Sequence, residues 1–212
     1  MKLEKMKKKA SVKIEELDNP ESIRTPGRTW TRYPEVNPET EEVEPDIETE
    51  GEVEIIQGEE AVNEAGEKIF DAVKYDEDKL TAVHAANLNS VIYIKSSGQG
   101  SVKITYEDDA DTFAHVVVDD RENSELTLTE EVRNEGLLTS INEIYVGENA
   151  TADYGAVEAS DSHLTYSRRK AVVCDYGTMN WLNSQFTGDL KRTKIETVLK
   201  GDNSETEKLA VW

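Results

Sequence analysis

The stretch GQGSVKITY, Gly98–Tyr106, begins with a short turn and then alternates apolar with polar residues. The pattern returns four times, as ENSELTLTE from Glu122, ENATADYGA from Glu148, DYGTMNWLN from Asp175 and DNSETEKLAVW from Asp202. The turn residues of the five copies, spaced 23, 26, 28 and 26 positions apart, are Gly100, Asn123, Asn149, Gly177 and Asn203. Such a period is typical of stacked repeats that bury their apolar faces against one another. Because side chains within each copy alternate like those of a strand, the copies predict a β-solenoid.

Each repeat has room for about two strands, and parallel stacking would pair each copy with the next. The runs between Val91 and Trp212 are rich in threonine, valine, isoleucine, tyrosine and tryptophan, as half-buried strands usually are. Only 36% of the residues are hydrophobic and 33% are charged, which suits the thin apolar column of a solenoid. We therefore predict an all-β core over residues 90–212.

The residues before the repeats divide into two further parts. Residues 1–60 form a tail and linker, and residues 61–89 carry helical patterning that we expect to cap the first coil. Met1–Leu17 predicts a short basic helix with a solvated surface, its apolar side being Leu3, Met6, Ala10, Ile14 and Leu17. Glu35–Glu60 contains twelve acidic residues and no basic one, which favours a loosely held segment with at most a short strand at Val53–Ile56.

Charge and cysteine content exclude several classes of partner. The formal net charge of −21 argues against nucleic acid and against an anionic membrane surface. No apolar run is long enough for a membrane helix, and the start of the chain lacks the apolar region of a secretory signal. A single cysteine, Cys174, is compatible with a reducing compartment, so a cytoplasmic location is expected.

Cys174 and the three histidines are the candidate reactive or metal-ligating residues. As a thiolate, Cys174 could relay sulfur or help to bind iron if Arg168, Arg169 and Lys170 lay around it. We favour the alternative, a small buried side chain in the solenoid column. The histidines, His84, His115 and His163, lie in separate segments without metal-ligand spacing, so structural or surface roles are expected, although stacking could bring His115 and His163 together.

Clustered carboxylates raise a second class of function, a carbohydrate-active β-helix that uses them as acid and base or to hold calcium. The candidates, which the pattern places in loops between strands, are Asp108, Asp109, Asp111, Asp119 and Asp120. Neither a phosphate-binding loop nor a nucleophile elbow is present, which argues against an ATPase or a serine hydrolase. A purely structural acidic solenoid is the third possibility.

Four segments, in order, resemble the SufB/SufD family of iron–sulfur cluster assembly proteins: HAANLNSVIYI from His84, INEIYVGENATADY from Ile141, RRKAVVCDYGTMNW from Arg168 and VLKGDNSETE from Val198. The SufD branch is nearer, because RRKAVVCDYGTMNW and the segment TPGRTWTRYPEVNP, Thr25–Pro38, are similar to SufD-like chains. The resemblance implies a right-handed parallel β-helix that pairs with a SufB- or SufD-type solenoid and carries a SufC-type ATPase.

Family members are about twice as long, and the region that contacts SufC and carries their cluster or sulfur acceptors has no counterpart here. No catalytic, cofactor-binding or metal residue is therefore carried over, and the resemblance implies a non-catalytic SufD-like scaffold fragment whose assembled complex would handle the cluster. The last repeat ends at Leu209, Val211 and Trp212 with no successor. We expect this end to associate through its edge, as a dimer or with another solenoid.

Overall fold

The computed structural model describes residues 3–20, 33, 38, 41–159, 161–186 and 189–211. Its helices are α1 (Leu3–Ile14), α2 (Gly58–Ala65) and α3 (Lys79–Asn87). Its strands are β1 (Asp46–Gln57), β2 (Ser90–Asp108), β3 (Thr112–Asp120), β4 (Glu125–Asn134), β5 (Leu138–Val146), β6 (Thr151–Ala159), β7 (Thr165–Val173), β8 (Thr178–Phe186), β9 (Lys191–Leu199) and β10 (Glu205–Val211). The described residues do not include Arg24, Arg28, Arg32, most of the rest of the segment Thr25–Pro38, or the final Trp212.

The predicted β-solenoid is confirmed, with two parallel strands per repeat. Strand order is β10-β8-β6-β4-β2-β3-β5-β7-β9. The long strand β2 belongs to both halves: Ser90–Ser96 pairs with β3, and Gln99–Asp108 pairs with β4. We call the half that continues through β3, β5, β7 and β9 the A sheet, and the half that continues through β4, β6, β8 and β10 the B sheet. Successive coils therefore lie directly on one another, and the pairing of each copy with the next is as predicted.

The turns between the A and B sheets stack as regularly as the strands. Asn123, Asn149, Tyr176 and Asn203 adopt left-handed backbone conformations with φ between 55° and 60°. The amide of Asn149 donates to the carbonyl of Asp175, and the Nδ2 of Asn149 donates to the Oδ1 of Asn123, both at 2.9 Å. Asparagine adopts this conformation more readily than most residues. In the fourth copy the equivalent residue is Tyr176 and not the predicted Gly177.

The two sheets differ in what covers them. In β4, β6 and β8 buried residues alternate with more exposed ones, whereas in β3 and β5 nearly every residue is buried. The inward side chains of both sheets form one core, to which Ile92, Ile104, Val116, Leu128 and Trp181 belong. The outward side of the A sheet is buried by a second cluster beneath the helices, and Met6, Val62 and Phe70 are members.

Strand β1 covers the edge of the first coil, where the sequence predicted helices. Asp46–Gly51 pairs antiparallel with Gly100–Thr105, and Val53–Gln57 pairs with Ile92–Ser96. The strand bends at Gly51, where φ is +83° and a Cβ would lie 2.1 Å from the Gln99 carbonyl oxygen. The helices instead lie on the outer face of the A sheet. A strand takes this place because the unpaired backbone donors and acceptors of an open strand edge are best satisfied by another strand.

Two expectations about the N-terminal residues are corrected. Asp46–Gln57 is not loosely held, because it pairs with β2 and because Ile47, Val53 and Ile55 pack against the core. Its carboxylates point mostly to solvent. Helix α1 forms as predicted but is not a solvated end, because Met6 and Ala10 are fully buried. The amide of Lys79 also donates to the carbonyl of Asp18, at 2.8 Å. Helix α1 packs against the protein although it is positively charged, because its apolar residues lie on one face and its charged residues lie on the others.

Replacing Asn149 tests the turn ladder. Asn149→Ala should lower the free energy of unfolding by about 1 kcal/mol, because alanine tolerates a positive φ poorly. Asn149→Gly should cost less, since glycine adopts this conformation freely. Urea denaturation of the two variants measures the difference, and equal losses would show that the left-handed turn is not what matters.

Candidate functional site

Cys174 lies in the turn after β7 and is exposed, so the favoured prediction of a buried side chain is wrong. Strand β7 ends at Val173, which places the thiol outside the core. It lines a groove of about 670 Å³ together with Arg121, Glu148, Asp175 and Lys200. Arg168 and Arg169, two of the cations that a reactive thiolate would need around it, lie in the middle of β7 and are buried in other contacts.

The structure brings His84 and His115 together beneath the helices, while His163 is exposed elsewhere. The Nε2 of His84 lies 3.3 Å from the Nδ1 of His115, and the Nδ1 of His84 lies 2.9 Å from the Thr139 hydroxyl. The other nitrogen of His115 lies 2.8 Å from the Glu143 carboxylate. Because a carboxylate only accepts, His115 donates to Glu143 from Nε2. All four side chains are fully buried.

Glu143 also holds the loop between α2 and α3. Its carboxylate accepts from the amides of Phe70, at 2.5 Å, and Val73, at 2.8 Å. Phe70 adopts a φ of 57°, a strained conformation for a bulky residue, and its ring centroid lies 4.3 Å from that of His115. Burial, with His115 adding to it, lowers the pKa of His84 well below its usual value. This cluster joins the helices to the A sheet and is the structural role predicted for the two histidines.

Of the candidate carboxylates, Asp111, Asp119 and Asp120 make contacts within the fold. Asp119 and Asp120 end strand β3 and Asp108 ends strand β2, so these three do not lie in loops as predicted. Asp119 pairs with Lys68 at 2.5 Å and accepts from the Tyr93 hydroxyl, and Asp120 accepts from Ser124. Asp111 accepts from the amide of Leu137 at 2.9 Å. These contacts serve the fold, so Asp111, Asp119 and Asp120 give the carbohydrate-active alternative no support.

A charged network lies inside the solenoid, where sequence reasoning placed only apolar groups. Arg169 donates to the Glu158 carboxylate and, at 2.8 Å, to the Tyr154 hydroxyl. Tyr154 donates to Glu130, and Asn142 donates to the same carboxylate at 2.7 Å. Ser167 and Gln185 complete the contacts of Glu158. Glu130, Glu158 and Arg169 are at most 2% exposed, so the network is sealed between the sheets.

The two carboxyl groups respond differently to this environment. Burial raises the pKa of Glu130, and Arg169 opposes this only in part. Burial also acts to raise the pKa of Glu158, but the Arg169 guanidinium outweighs it and the net pKa is lowered. Arg169 is therefore committed mainly to Glu158, and Glu130 takes up a proton first as the pH falls. The alternation of β4 could have indicated a buried carboxylate from the sequence, because Glu130 follows Leu126 and Leu128 at inward positions.

The far end of the stack is the candidate docking surface. Within the described part of the chain, β9 pairs only with β7 and β10 only with β8, so each has one unpaired edge. Leu199 points to the lumen side of the final coil and is 47% exposed. Most of the large apolar side chains that are exposed in the described residues belong to β6–β10 or the turns between them. Exposed apolar groups of this kind are typical of surfaces that associate with other proteins.

The residues that the structure describes contain neither a metal-binding cluster nor a membrane-spanning helix. No group of three or more histidine, cysteine, aspartate or glutamate side chains is placed to hold a metal ion. In the same residues, every helix is too short or too polar to cross a membrane.

Comparison with known proteins agrees with the repeat architecture. The family model described as "SUF system FeS cluster assembly, SufBD core domain" matches residues 103–212, more than half of the chain. The chain is also similar to the "Iron-sulfur cluster assembly protein SufD" of Bacillus subtilis (strain 168), with 29% identity over 170 residues. That similarity covers 66% of this chain and 39% of the relative, so the chain spans about two fifths of the relative's length. The resemblance drawn from the four segments is confirmed.

Removing the Glu143 carboxylate tests the cluster beneath the helices. Glu143→Ala should lower the free energy of unfolding by about 3 kcal/mol, because two buried amides and His115 lose their acceptor. Hydrogen exchange at the Phe70 and Val73 amides should accelerate more than exchange within β4. Glu131→Ala, on the outer face of the B sheet, is the matched control and should leave both amides protected. Unchanged protection in Glu143→Ala would contradict this role.

Breaking the lumen network tests its energetics. Arg169→Met should cost about 3–5 kcal/mol, because Glu158 stays buried without its cation. The double variant Arg169→Met/Glu158→Leu should recover much of that loss, since an apolar pair needs no charge compensation. Arg133→Met, at an exposed ion pair with Glu131, should cost less than about 1 kcal/mol. Urea denaturation measures all three, and a double variant as unstable as Arg169→Met would contradict the argument.

Proposed function

This chain belongs to the SufBD family, and we propose that it is a non-catalytic, SufD-like scaffold in SUF iron–sulfur cluster assembly. The family match covers β3 to β10, which places the resemblance on the coils themselves. The similar Bacillus subtilis protein is described as an assembly protein, and the proposal extends that role to this chain. In this function the cluster is cargo of the assembled machinery, and the chain contributes a surface.

The observation that carries the proposal is the in-register parallel ladder of the coils, which runs to β9 and β10 and lies in the region that the family model matches. A second solenoid of the SufB or SufD type could continue the ladders there by strand addition, with main-chain hydrogen bonds supplying affinity. Exposed Leu199 and the partly buried Ile195 would then be covered. Apolar burial would add to the backbone pairing.

Energy for rearrangement would come from a partner, a SufC-type ATPase. The chain has no phosphate-binding loop of its own. A cytoplasmic location fits the proposal, because a single cysteine offers no intramolecular disulfide. The rigid register of the coils suits a scaffold, since a partner bound at the end is held in a fixed orientation relative to the helices at the start.

Co-purification tests the scaffold role. The chain, tagged and co-expressed with a SufB-type solenoid and a SufC-type ATPase, should retain the solenoid on affinity resin. Leu199→Lys should lower the recovered partner about tenfold, because a charge replaces the apolar group at the docking end. Val12→Lys, at an exposed position on α1, is the matched control and should have no effect.

Two outcomes would contradict the proposal. One is failure of the wild-type chain to retain the solenoid at all. The other is full retention by Leu199→Lys, which would move the contact away from the final coil. Circular dichroism of both variants shows whether the fold is intact, so that loss of binding is not confused with unfolding.

A further inference from the structure

The outer face of the B sheet carries a second exposed surface, distinct from the end of the stack. Val157, Leu182, Phe186 and Leu209 all point outward from β6, β8 and β10 and are 43%, 48%, 48% and 60% exposed. Register aligns Gly155, Leu182 and Leu209 in one column, and Phe186 beside Ala159 in another. Val157 is paired with Ser184, so it lies diagonally between Leu182 and Phe186 on a neighbouring strand about 4.8 Å away. We call these four residues the B-face patch.

The A sheet shows what such a face normally requires. Parallel sheets are usually covered on both sides, and helices provide the cover. On the A sheet, the helices and the loop between α2 and α3 bury outward-facing Val91, Tyr93, Val117 and Ile141. Helix α1 packs on α3 although it is basic, with Met6 and Ala10 buried and most of its lysines exposed. Among the described residues no helix lies on the outer face of β6, β8 or β10, although those strands run in the same parallel arrangement.

The charges on the strands of the B-face patch are acidic, and the two cations beside it, Arg133 and Lys191, are held by the Glu131 carboxylate and the Phe186 carbonyl. The outward charged side chains described on β6, β8 and β10 are Asp153, Glu205 and Glu207. Lys208 points the other way and donates to the carbonyl of Ile195 at 3.2 Å. A partner whose apolar stripe is flanked by lysine or arginine would complement both the apolar side chains of the patch and the carboxylates beside them. A second copy of this chain would instead bring carboxylates against carboxylates, which disfavours a face-to-face dimer.

We propose that the B-face patch docks a cationic amphipathic helix of a partner protein. Residues three and four apart on a helix lie about 5–6 Å from one another, close to the spacing of the strands. A helix laid across β6, β8 and β10 therefore places successive apolar side chains on successive strands. Its basic flank pairs with Asp153, Glu205 and Glu207. This inference stands on the B sheet alone and does not depend on the proposed function.

Synthetic peptides test the proposal on the full chain. The probe is a helix of about 18 residues with leucine at i, i+3, i+4 and i+7 positions and lysine on the rest of its surface. One control peptide has the same composition with the leucines scattered around the helix, and the other replaces every lysine by glutamate. Fluorescence anisotropy measures affinity. The lysine peptide should bind more weakly as salt is raised, because the flanking ion pairs are exposed.

Paired variants locate the contact. Val157→Ser/Leu182→Ser should weaken binding of the lysine peptide about tenfold or more, whereas Val198→Ser, on the outer face of the A sheet, should not. Glu205→Lys/Glu207→Lys should also weaken binding, whereas Glu48→Lys/Glu50→Lys, on β1, should not. These substitutions avoid Leu199. A negative result here therefore does not bear on the contact proposed at the end of the solenoid, and failure of one proposal can be told from failure of the other.

Three results would overturn the proposal. Equal binding of the scattered peptide would show attraction by net charge alone, and equal binding of the glutamate peptide would remove the cationic preference. Unchanged affinity in Val157→Ser/Leu182→Ser would place the contact elsewhere. Size-exclusion chromatography adds an independent check, because a dimer that Val157→Ser/Leu182→Ser abolishes would assign the patch to a second copy.

Discussion

The fold depends on in-register parallel pairing between successive coils. Each strand lies directly on its counterpart in the next repeat, for example Leu126 on Ala152 and Ala152 on Met179. A shift of one residue would exchange inward and outward side chains along the whole strand. The left-handed turn residues keep this register from coil to coil, because the turn backbones also hydrogen-bond to one another. The stacked turns and the stacked strands are thus one continuous ladder.

Register also determines where the buried charges meet. Asn142 and Arg169 are paired positions on the A sheet, and Glu158 and Gln185 are paired positions on the B sheet. Only the closure of the two sheets around a common interior brings Arg169 to Glu158. A buried ion pair of this kind adds little stability over an apolar pair, yet it strongly disfavours arrangements that separate its members. The network therefore penalises misregister in the later coils, where the interior is least apolar.

The asymmetry of the two sheets connects structure to the proposed roles. Helices, the Glu143 cluster and strand β1 complete the start of the solenoid and the outer face of the A sheet. In the described residues, no helix covers the outer face of β6, β8 and β10. Exposed apolar groups therefore gather where no internal element lies. A scaffold needs this division, with one rigid region that is satisfied internally and another that is available to partners.

The repeats alone were enough to predict the parallel solenoid and its two strands per coil, because alternation and period are local properties of the chain. The family was predicted from the resemblance of four segments and not from the period. The inward position of Glu130 could also have been read from β4. The meeting of His84, His115 and Glu143 could not, because these residues come from α3, β3 and β5 and approach only when the helices pack. The exposure of Cys174 and the pairing of β1 with β2 were likewise decided by tertiary structure. In each case the deciding factor is where a strand ends or which edge is free, and neither is encoded in the pattern of a single segment.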